Sequence, residues 1–281
     1  MRLLFVVAVL FSVAACTFAQ TQSKDVYDVY AIEYANSKGL VPVSHVAIGA
    51  TSNDSVDFAY YFWYLKGDNG KKILVDTGFR EDSTTPKLSL KSYTRPDSAL
   101  GRLAVYPDEI TDVVITHPHF DHIDGLTLFP KATVWMQKKD YDYFVGEAWQ
   151  TGGDHYGFTH NDVLNIVRVN LEGRLRLVNG DSIEIIPGIR VFIGSRHTWE
   201  SQHLLVDAHG EKVMLASDDD WFYYNLHHLL PIPLTFDKTA YVQQLKRMKT
   251  LVSDTTLIIP GHDGLVLHEF PLVAKDVVRI R

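Results

Sequence analysis

The feature that most constrains the fold is a short apolar segment, residues 113–116, followed at once by a dense set of metal-ligand side chains. His117, His119, Asp121 and His122 lie within six residues of one another. Imidazole nitrogen and carboxylate oxygen together are ligands that zinc and similar divalent cations prefer. Because Asp121 and His122 are adjacent, they cannot point the same way as His117 and His119. The pattern therefore predicts a strand end that carries ligands for two neighbouring metal ions rather than one.

The rest of the chain has the pattern of a protein rich in strands. Short β-branched or aromatic runs bounded by turn residues predict strands at these positions: 56–65, 71–75, 113–116, 132–136, 183–186, 191–193, 203–207, 212–216 and 256–259. Apolar residues spaced by three or four, with Asp237 as N-cap, predict a helix over 237–252. Shorter helices are predicted over 96–105 and 138–144. Strands in both halves, with helices between them, indicate two sheets packed together with helices outside.

The first residues have the pattern of an export signal. A basic start at Arg2 precedes an apolar run over residues 3–15 and then small residues. This pattern predicts a signal peptide over residues 1–19 and a single folded domain over residues 20–281. A second processing route also fits, because the residues before Cys16 resemble a bacterial lipoprotein box. The protein is therefore predicted to be exported: periplasmic or secreted, or lipid-anchored if Cys16 is the processing site.

Composition excludes several kinds of partner and site. With 27 Lys+Arg against 34 Asp+Glu, the net charge is −7 and no basic run appears, so nucleic acid is not expected as a partner. Cys16 is the only cysteine, so the mature chain is expected to lack internal disulfides and thiolate ligands. Beyond the N-terminal segment, no apolar stretch reaches the length needed to span a membrane.

Five short motifs resemble the landmarks of the metallo-β-lactamase superfamily, and they occur in the order typical of that family. Each lies at the end of a predicted strand, and the chain is identified as a member from these residues: Asp76-Thr77-Gly78, the His-x-His-x-Asp-His of residues 117–122, Arg196-His197-Thr198, Ala216-Ser217-Asp218 and Pro260-Gly261-His262-Asp263. The resemblance implies an α/β protein (α+β in some schemes) with an αββα sandwich. In that architecture two mixed sheets pack face to face and helices cover the outside.

The resemblance also implies a ligand set for two zinc ions per chain. Carried over residue by residue, the ligands are His117, His119 and His197 for the first ion, Asp121, His122 and His262 for the second, and Asp218 as the bridge between them. Asp76 would support the ligands from behind, because metal-binding histidines usually need a fixed hydrogen-bond partner.

Within the superfamily, the chain resembles the N-acyl homoserine lactonases over most of residues 40–275. Residues 100–110 resemble the helix and turn that precede the ligand motif in that branch. The long predicted helix, followed by Pro260-Gly261-His262-Asp263 and then Glu269-Phe270-Pro271, resembles the C-terminal part of the same proteins.

Two departures from the lactonases affect the residues around the ligands. The lactonases read Gly-His-Thr-Pro-Gly-His where this chain reads Arg-His-Thr-Trp-Glu-Ser over residues 196–201. The lactonases also place a tyrosine, which contacts the lactone, three residues after the bridging aspartate. Trp221 occupies that place here, and Tyr223 and Tyr224 lie just beyond it.

The resemblance implies a dizinc hydrolase that opens the lactone ring of N-acyl homoserine lactones, the reaction known as quorum quenching. A hydroxide bridging the metals would attack the carbonyl carbon, and Asp121 would pass a proton to the leaving alkoxide. Phe120 and Trp221 are predicted to contact the substrate, and Tyr223 or Tyr224 to take the part of the lactonase tyrosine. An acyl pocket is predicted among these aromatic residues: Phe120, Trp149, Phe158, Trp221, Phe222, Tyr223 and Tyr224.

Two alternative functions stay open at this point. One is an exported metallo-hydrolase on the same fold that acts on another ester, a thioester or a β-lactam-like compound. The other is a metal-binding protein without catalytic activity, as arises when members of such folds lose their chemistry.

Overall fold

The computed structural model describes residues 25–82 and 86–281. The predicted signal peptide and Cys16 lie outside the described residues, so the export and lipid-anchor assignments stay predictions. Within those two ranges, no helix combines the length and the apolar character that crossing a bilayer requires.

The strands of the described residues form two large sheets and a short two-stranded ribbon. In chain order they are β1 Tyr27–Ser37, β2 Val41–Pro42, β3 Ser55–Val56, β4 Ala59–Gly67, β5 Lys72–Val75, β6 Leu90–Tyr93, β7 Asp112–Val114, β8 Thr133–Gln137, β9 Leu175–Val178, β10 Ile183–Ile186, β11 Ile189–Ile193, β12 Gln202–Ala208, β13 Glu211–Ser217, β14 Ile258–Pro260, β15 Leu272–Ala274 and β16 Val277–Arg279. The larger sheet has the order β15-β16-β1-β4-β5-β7-β8-β9, with β6 also paired to β1, and the second has the order β10-β11-β12-β13-β14.

Both sheets are mixed. In the larger one, β5, β7, β8 and β9 are parallel neighbours, whereas β4 pairs antiparallel with β1 and with β5. In the second sheet only the β13–β14 pair is parallel. The ribbon consists of β2 and β3. Parallel neighbours need crossover connections, and those connections supply the helices that cover the sheets.

Helices lie in the connections and at the chain turns around the sheets. In chain order they are α1 Val43–Val46, α2 Pro96–Leu100, α3 Phe120–Ile123, α4 Lys138–Val145, α5 His160–Leu171, α6 Tyr223–His228, α7 Lys238–Leu251 and α8 Val266–Glu269. Short 3₁₀ turns are formed by Gly101–Leu103, Pro107–Glu109, Asp124–Leu128, Glu147–Trp149 and Thr255–Leu257.

Apolar side chains on both faces of each sheet produce four layers. Between the sheets, residues such as Trp63 of β4 and Val191 of β11 share one buried cluster. On the outer face of the larger sheet, α4 and α5 contribute Phe144 and Ile166 to a second cluster. On the outer face of the second sheet, α7 contributes Leu245 to a third. This αββα arrangement of two mixed sheets confirms the predicted fold.

Most predicted elements are present, with some shifted ends. The helix predicted over 237–252 is α7, and the side chain of Asp237 caps it by accepting hydrogen bonds from two backbone amides at 2.9 Å. The helix predicted over 96–105 is shorter: α2 passes into a 3₁₀ turn that ends where Ala104 adopts a left-handed φ of 53°. The strand predicted over 256–259 starts only at Ile258, because Asp254 holds the preceding residues in a turn.

Two substantial elements, β1 and α5, were not predicted. The alternation of buried and exposed residues in β1 is broken by a bulge between Glu33 and Ala35, which hides the period of two. The polar residues near the start of α5 weaken its helical propensity. The cap compensates for this, because the Thr159 side chain accepts a hydrogen bond from Asp162 N at 3.1 Å.

The predicted landmark motifs lie at one edge of the sandwich, where strands of both sheets end. Asp76 directly follows β5, His117 lies just after β7, Ser217 ends β13 and His262 follows β14. Asp76 and Ser217 turn the chain with φ of 62° and 48°, and Arg196 in a further loop has φ of 64°. Residues other than glycine carry strain in this conformation, and such strain concentrates at functional sites.

Gly125 packs against the turn that follows β5. Its amide donates to the Gly78 carbonyl at 2.8 Å, and a Cβ here would overlap the carbonyl oxygen of Thr77. We expect Gly125→Ala to lower the free energy of unfolding by about 1–3 kcal/mol, because one backbone segment must move. Gly101→Ala is the matched control, since no atom lies within 4 Å of the added carbon. Urea-induced unfolding measures both variants, and equal stabilities would contradict the prediction.

Candidate metal centre

Seven ligand-type side chains lie together at this edge of the sandwich. They form two groups, and within each group the ligand atoms all lie within 4.8 Å of one another: His117, His119, His197 and Asp218 in the first, and Asp121, His122 and His262 in the second. These are the same seven residues that the sequence motifs single out. We call them the first and second ligand groups.

In the first group, three imidazole nitrogens face one another. His119 Nδ1 lies 3.1 Å from His117 Nε2 and 2.9 Å from His197 Nε2. The rings are nearly perpendicular, with interplanar angles of 80° to 89°. A single hydrogen on His119 Nδ1 can satisfy only one of these contacts, so lone pairs repel at the other unless a cation lies between them, and the arrangement suits a metal ion.

The opposite ring nitrogens are held by backbone oxygens. His197 Nδ1 donates to the Leu234 carbonyl at 2.7 Å, and His262 Nδ1 donates to the Ala59 carbonyl at 2.8 Å. Because a carbonyl can only accept, the hydrogen must be on Nδ1 in both rings. The lone pair is therefore on Nε2, the nitrogen that faces the ligand group, which is the tautomer that binds a metal.

Asp218 lies between the two groups and presents one oxygen to each. Its Oδ2 is 3.0 Å from His197 Nε2, and its Oδ1 is 3.0 Å from His262 Nε2 and 3.2 Å from His122 Nε2. The indole Nε1 of Trp221 donates to Oδ2 at 2.6 Å, which fixes the rotation of the carboxylate. A carboxylate placed in this way can bridge two cations.

The donor set fits a pair of divalent cations. His122 Nε2 and Asp218 Oδ1 are buried and have no hydrogen-bond partner. Buried polar atoms without a partner are rare in proteins because leaving them unpaired costs free energy. Nitrogen and carboxylate oxygen ligands without sulfur suit zinc and other borderline cations. The two groups are therefore consistent with a binuclear metal centre.

At His117, His119 and Asp218, burial and charge favour the protonation states that metal binding requires, whereas at His122 and His197 the nearby carboxylates outweigh burial and raise the pKa. Burial lowers the pKa of His119 to about 3 and lowers the pKa of His117 well below its ordinary value. Burial alone would raise the pKa of Asp218, but the surrounding imidazoles, His262 and His122 foremost, hold it well below its ordinary value. At neutral pH the two histidines are thus neutral and the aspartate is ionised, as ligands must be.

Asp76 supports the centre from behind. Its Oδ2 accepts hydrogen bonds from His122 Nδ1 and from Thr116 Oγ1, both at 2.8 Å, and its Oδ1 accepts from Thr116 N at 2.8 Å. Ser217 Oγ also donates to Oδ2, at 3.2 Å. Asp76 is fully buried and ties the ends of β5, β7 and β13 together, so it orients ligands from both sheets.

Asp121 is the most accessible member of the second group. Its side chain is 13% exposed, against 2% for His122 and for His262. Tyr34 holds its backbone, because the phenol donates to the Asp121 carbonyl at 2.8 Å. Burial alone would raise the pKa of Asp121, but the neighbouring His122 and His262 hold it below its ordinary value. An ionised, partly accessible carboxylate beside the centre can take up a proton.

A cavity of about 380 Å³ opens onto the first ligand group. Apart from His119, His197 and Thr198, its lining comes from two chain segments: Asp154, Tyr156 and Phe158 on one, and Pro233, Leu234, Thr235 and Phe236 on the other. Each segment is bonded to the ligand region: Gly157 O accepts from Phe120 N at 2.9 Å, and Phe236 N donates to Arg196 O at 2.9 Å.

Few of the aromatic residues predicted to contact substrate line this cavity. Phe158 does, and Trp221 contacts Asp218 beside it. Phe120 instead packs towards Phe79, with ring centroids 5.9 Å apart. Tyr223 and Tyr224 line a separate cavity of about 480 Å³, so the structure does not bring them to the first ligand group. The turn after Trp221 leads directly into α6, which directs both tyrosines away.

Several residues around the centre were not singled out from the sequence. Tyr34 lies on β1, a strand that was not predicted, and Pro233 to Phe236 form an irregular segment between α6 and α7. The only available pattern in that segment was its run of apolar residues after Pro231. Such a run is equally typical of ordinary core packing, so it indicated no role.

Comparison with known proteins agrees with the fold. A model of the Metallo-beta-lactamase superfamily matches residues 56–262. An N-acyl homoserine lactonase of a Bacillus species is 24% identical over 244 residues, which cover 80% of this chain and 90% of that protein.

Solved structures are similar as well. A variant of Bacillus thuringiensis AiiA with N-decanoyl-L-homoserine at its active site gives a TM-score of 0.69 at 20% identity, covering 88% of this chain and 98% of that chain. A dizinc quorum-quenching lactonase in complex with a product gives a TM-score of 0.63 at 16% identity, covering 85% and 91%. With the family match, the αββα fold and the two ligand groups in agreement, the chain belongs to the metallo-beta-lactamase superfamily.

Proposed function

We propose that this protein is a metal-dependent hydrolase that opens the lactone ring of N-acyl homoserine lactones. The observation that carries the proposal is the convergence of two ligand groups on Asp218, beside a cavity with largely apolar walls. Relatives that match most of the chain are N-acyl homoserine lactonases of Bacillus species, which supports the choice of substrate.

The residues of the two ligand groups would hold one divalent cation each, with Asp218 shared. Two such cations supply Lewis acidity that polarises an ester carbonyl and activates water at neutral pH. Residues of the chain hold the ligand side chains in position. Asp76 fixes His122, and Trp221 Nε1 fixes the Asp218 carboxylate. Because these side chains are already held in place, less entropy is lost on reaching the transition state of hydrolysis.

Asp121 supplies the proton transfer. Its Oδ2 lies 3.5 Å from His122 Nε2 and 3.7 Å from His262 Nε2, at the accessible side of the second group. As an ionised carboxylate, it accepts the proton of the attacking water at Oδ2. It returns that proton to the ring oxygen as the bond between the acyl carbon and that oxygen breaks. The product is the N-acyl homoserine, which carries the new hydroxyl and the new carboxylate in one molecule.

The cavity suits a neutral acyl chain. Tyr156 and Phe236 are 68% and 46% exposed, so they form an apolar rim that a substrate tail can cover. Asp154 is the only carboxylate of the lining that is not a metal ligand, and the lining residues include no Lys or Arg. The walls therefore offer no Lys or Arg to pair with a carboxylate of the substrate, which disfavours substrates such as glutathione thioesters.

Metal content is the first test of the proposal. The wild-type protein should bind about two metals per chain, since seven ligand side chains, with Asp218 shared, give each of two sites four protein ligands. Asp218→Ala should lower the metal content and remove nearly all turnover, because it removes the shared ligand. Asp142→Ala, at an exposed carboxylate of α4, should change neither.

Elemental analysis after zinc supplementation measures this prediction. Fewer than one metal per wild-type chain would contradict the proposal. Full activity of Asp218→Ala would show that the assignment of this residue as the shared ligand is wrong.

Chain-length dependence tests the substrate. If the acyl tail lies along the cavity walls, each buried methylene contributes up to about 0.8 kcal/mol, roughly fourfold in kcat/KM, until the cavity is full. Phe236→Ala and Tyr156→Ala should flatten this dependence, whereas Tyr106→Ala should preserve it. Tyr106 is 65% exposed and does not line the cavity, so it is a matched aromatic control. A flat profile for the wild-type protein would rule out the lactone tail as the bound group.

Trp221 and the two tyrosines beyond it should behave differently. Among the described residues, Trp221 is the only side-chain donor to Asp218 Oδ2 that is not a metal ligand. Trp221→Phe removes this donor, and kcat should fall about tenfold, the value of a hydrogen bond to a charged group. Tyr223→Phe and Tyr224→Phe should keep wild-type lactone turnover, because both residues line the separate cavity. Steady-state kinetics with one lactone compares the three variants. If a tyrosine variant has a lower kcat than Trp221→Phe, that tyrosine acts in lactone turnover and the location assigned to it is wrong.

A further inference from the structure

The loop of residues 194–201 carries the ligand His197. Its ends are joined by a hydrogen bond from Gly194 N to Ser201 O at 2.6 Å. Apart from the bond of His197 Nδ1 to Leu234 O, the ligand has no other hydrogen bond outside the metal groups. The position of its imidazole therefore depends on how the loop itself is held.

Asp219, the residue after the shared ligand Asp218, points into this loop. Its Oδ1 accepts hydrogen bonds from Ser195 N at 3.0 Å, from Ser195 Oγ at 2.8 Å and from Ser201 Oγ at 2.8 Å. Its Oδ2 lies 2.9 Å from His203 Nδ1. The side chain is only 1% exposed, and these contacts use the lone pairs that a buried carboxylate must satisfy.

Asp219 lies so close to the loop that position 194 must be a glycine. A Cβ on Gly194 would overlap the Asp219 carboxylate, so no other residue fits there without moving the aspartate. Asp219 belongs to neither ligand group and does not line the cavity. Its contacts are with both ends of the His197 loop and with His203. Asp219 takes no part in binding the substrate or in transferring the proton.

A second carboxylate holds the other side of the same loop. Asp140, on α4, accepts from Thr198 Oγ1 at 2.7 Å and from Glu200 N at 3.2 Å. The loop therefore keeps a folded backbone when the contacts to Asp219 are removed. What changes is the freedom of His197 relative to Asp218.

We infer that Asp219 is a positioning residue for the first ligand group: it fixes the His197 loop at a set distance from Asp218. The two aspartates are consecutive, so one backbone segment places the shared ligand with one side chain and the loop of a second ligand with the other. The inference rests on the metal centre of the proposed function and is independent of the substrate.

The second ligand group should not depend on Asp219. His262 is held by Ala59 O, and His122 is held by Asp76. Neither of those contacts involves the loop of residues 194–201. Loss of Asp219 should therefore weaken one metal site selectively, which a general loss of stability would not do.

The test is a titration of metal-free full-length protein with zinc against a chromophoric chelator, which resolves two dissociation constants. Asp219→Ala should weaken one site about tenfold to a hundredfold, as is usual when a residue behind a ligand is removed. The pattern should match that of His197→Ala and differ from that of His262→Ala. Asp219→Asn should bind both metals as the wild-type protein does, because its amide oxygen can still accept from the loop, while His203 changes tautomer and the Gln244 amide flips to accept from His203 Nε2.

Asp112→Ala is the matched control. Asp112 is also a buried carboxylate with three donors, Lys71 Nζ, Thr111 Oγ1 and Trp135 Nε1, but it lies at the far end of β7. Its loss should lower the thermal midpoint and leave both zinc constants unchanged. If Asp219→Ala does not fold, the double variant Ser195→Ala/Ser201→Ala carries the test, because it removes two loop donors and keeps the aspartate.

The zinc titration has three informative outcomes. Selective weakening with rescue by asparagine supports the inference. Wild-type constants in Asp219→Ala, or equal weakening of both sites, overturns it while leaving the proposed function intact. A wild-type protein that binds fewer than one metal per chain overturns both.

Discussion

The close packing of five imidazoles and two carboxylates at one point is the constraint on which the rest of the structure depends. Imidazole nitrogens face one another at 2.9 and 3.1 Å in the first group. Such an arrangement is unfavourable in the metal-free protein, so the rings must be held by contacts outside the centre. Asp76, Ala59 O and Leu234 O hold His122, His262 and His197 in this way, and they come from the larger sheet and from a connecting segment. The sandwich therefore holds the ligand side chains in the positions that the metal site requires.

Much of this centre could be predicted from the sequence, because its ligands lie in motifs that follow strand ends and resemble those of the metallo-β-lactamase superfamily. A strand end is marked by an apolar run that stops at polar residues, and that pattern is local. The segment from His117 to His122 contains four ligands, and single ligands at His197, Asp218 and His262 each follow a strand of the second sheet. The αββα fold followed from the resemblance of the same motifs to the metallo-β-lactamase superfamily.

The parts that could not be predicted depend on contacts between residues distant in sequence. Tyr34 reaches Asp121 from a strand whose alternation is broken by a bulge. Tyr223 and Tyr224 were expected near the substrate, but the helix that begins at Tyr223 directs them into another cavity. Asp219 follows a ligand directly in sequence, and only the geometry shows that its side chain points into the loop of a second ligand.

The central claim is that the two ligand groups hold two metal ions that share Asp218. Anomalous X-ray scattering at the metal absorption edge, from crystals of the metal-loaded protein, tests it most directly. We expect two peaks: one among His117, His119 and His197, the other among Asp121, His122 and His262, with Asp218 adjacent to both. A single peak, or two peaks of which one lies away from these side chains, would contradict it.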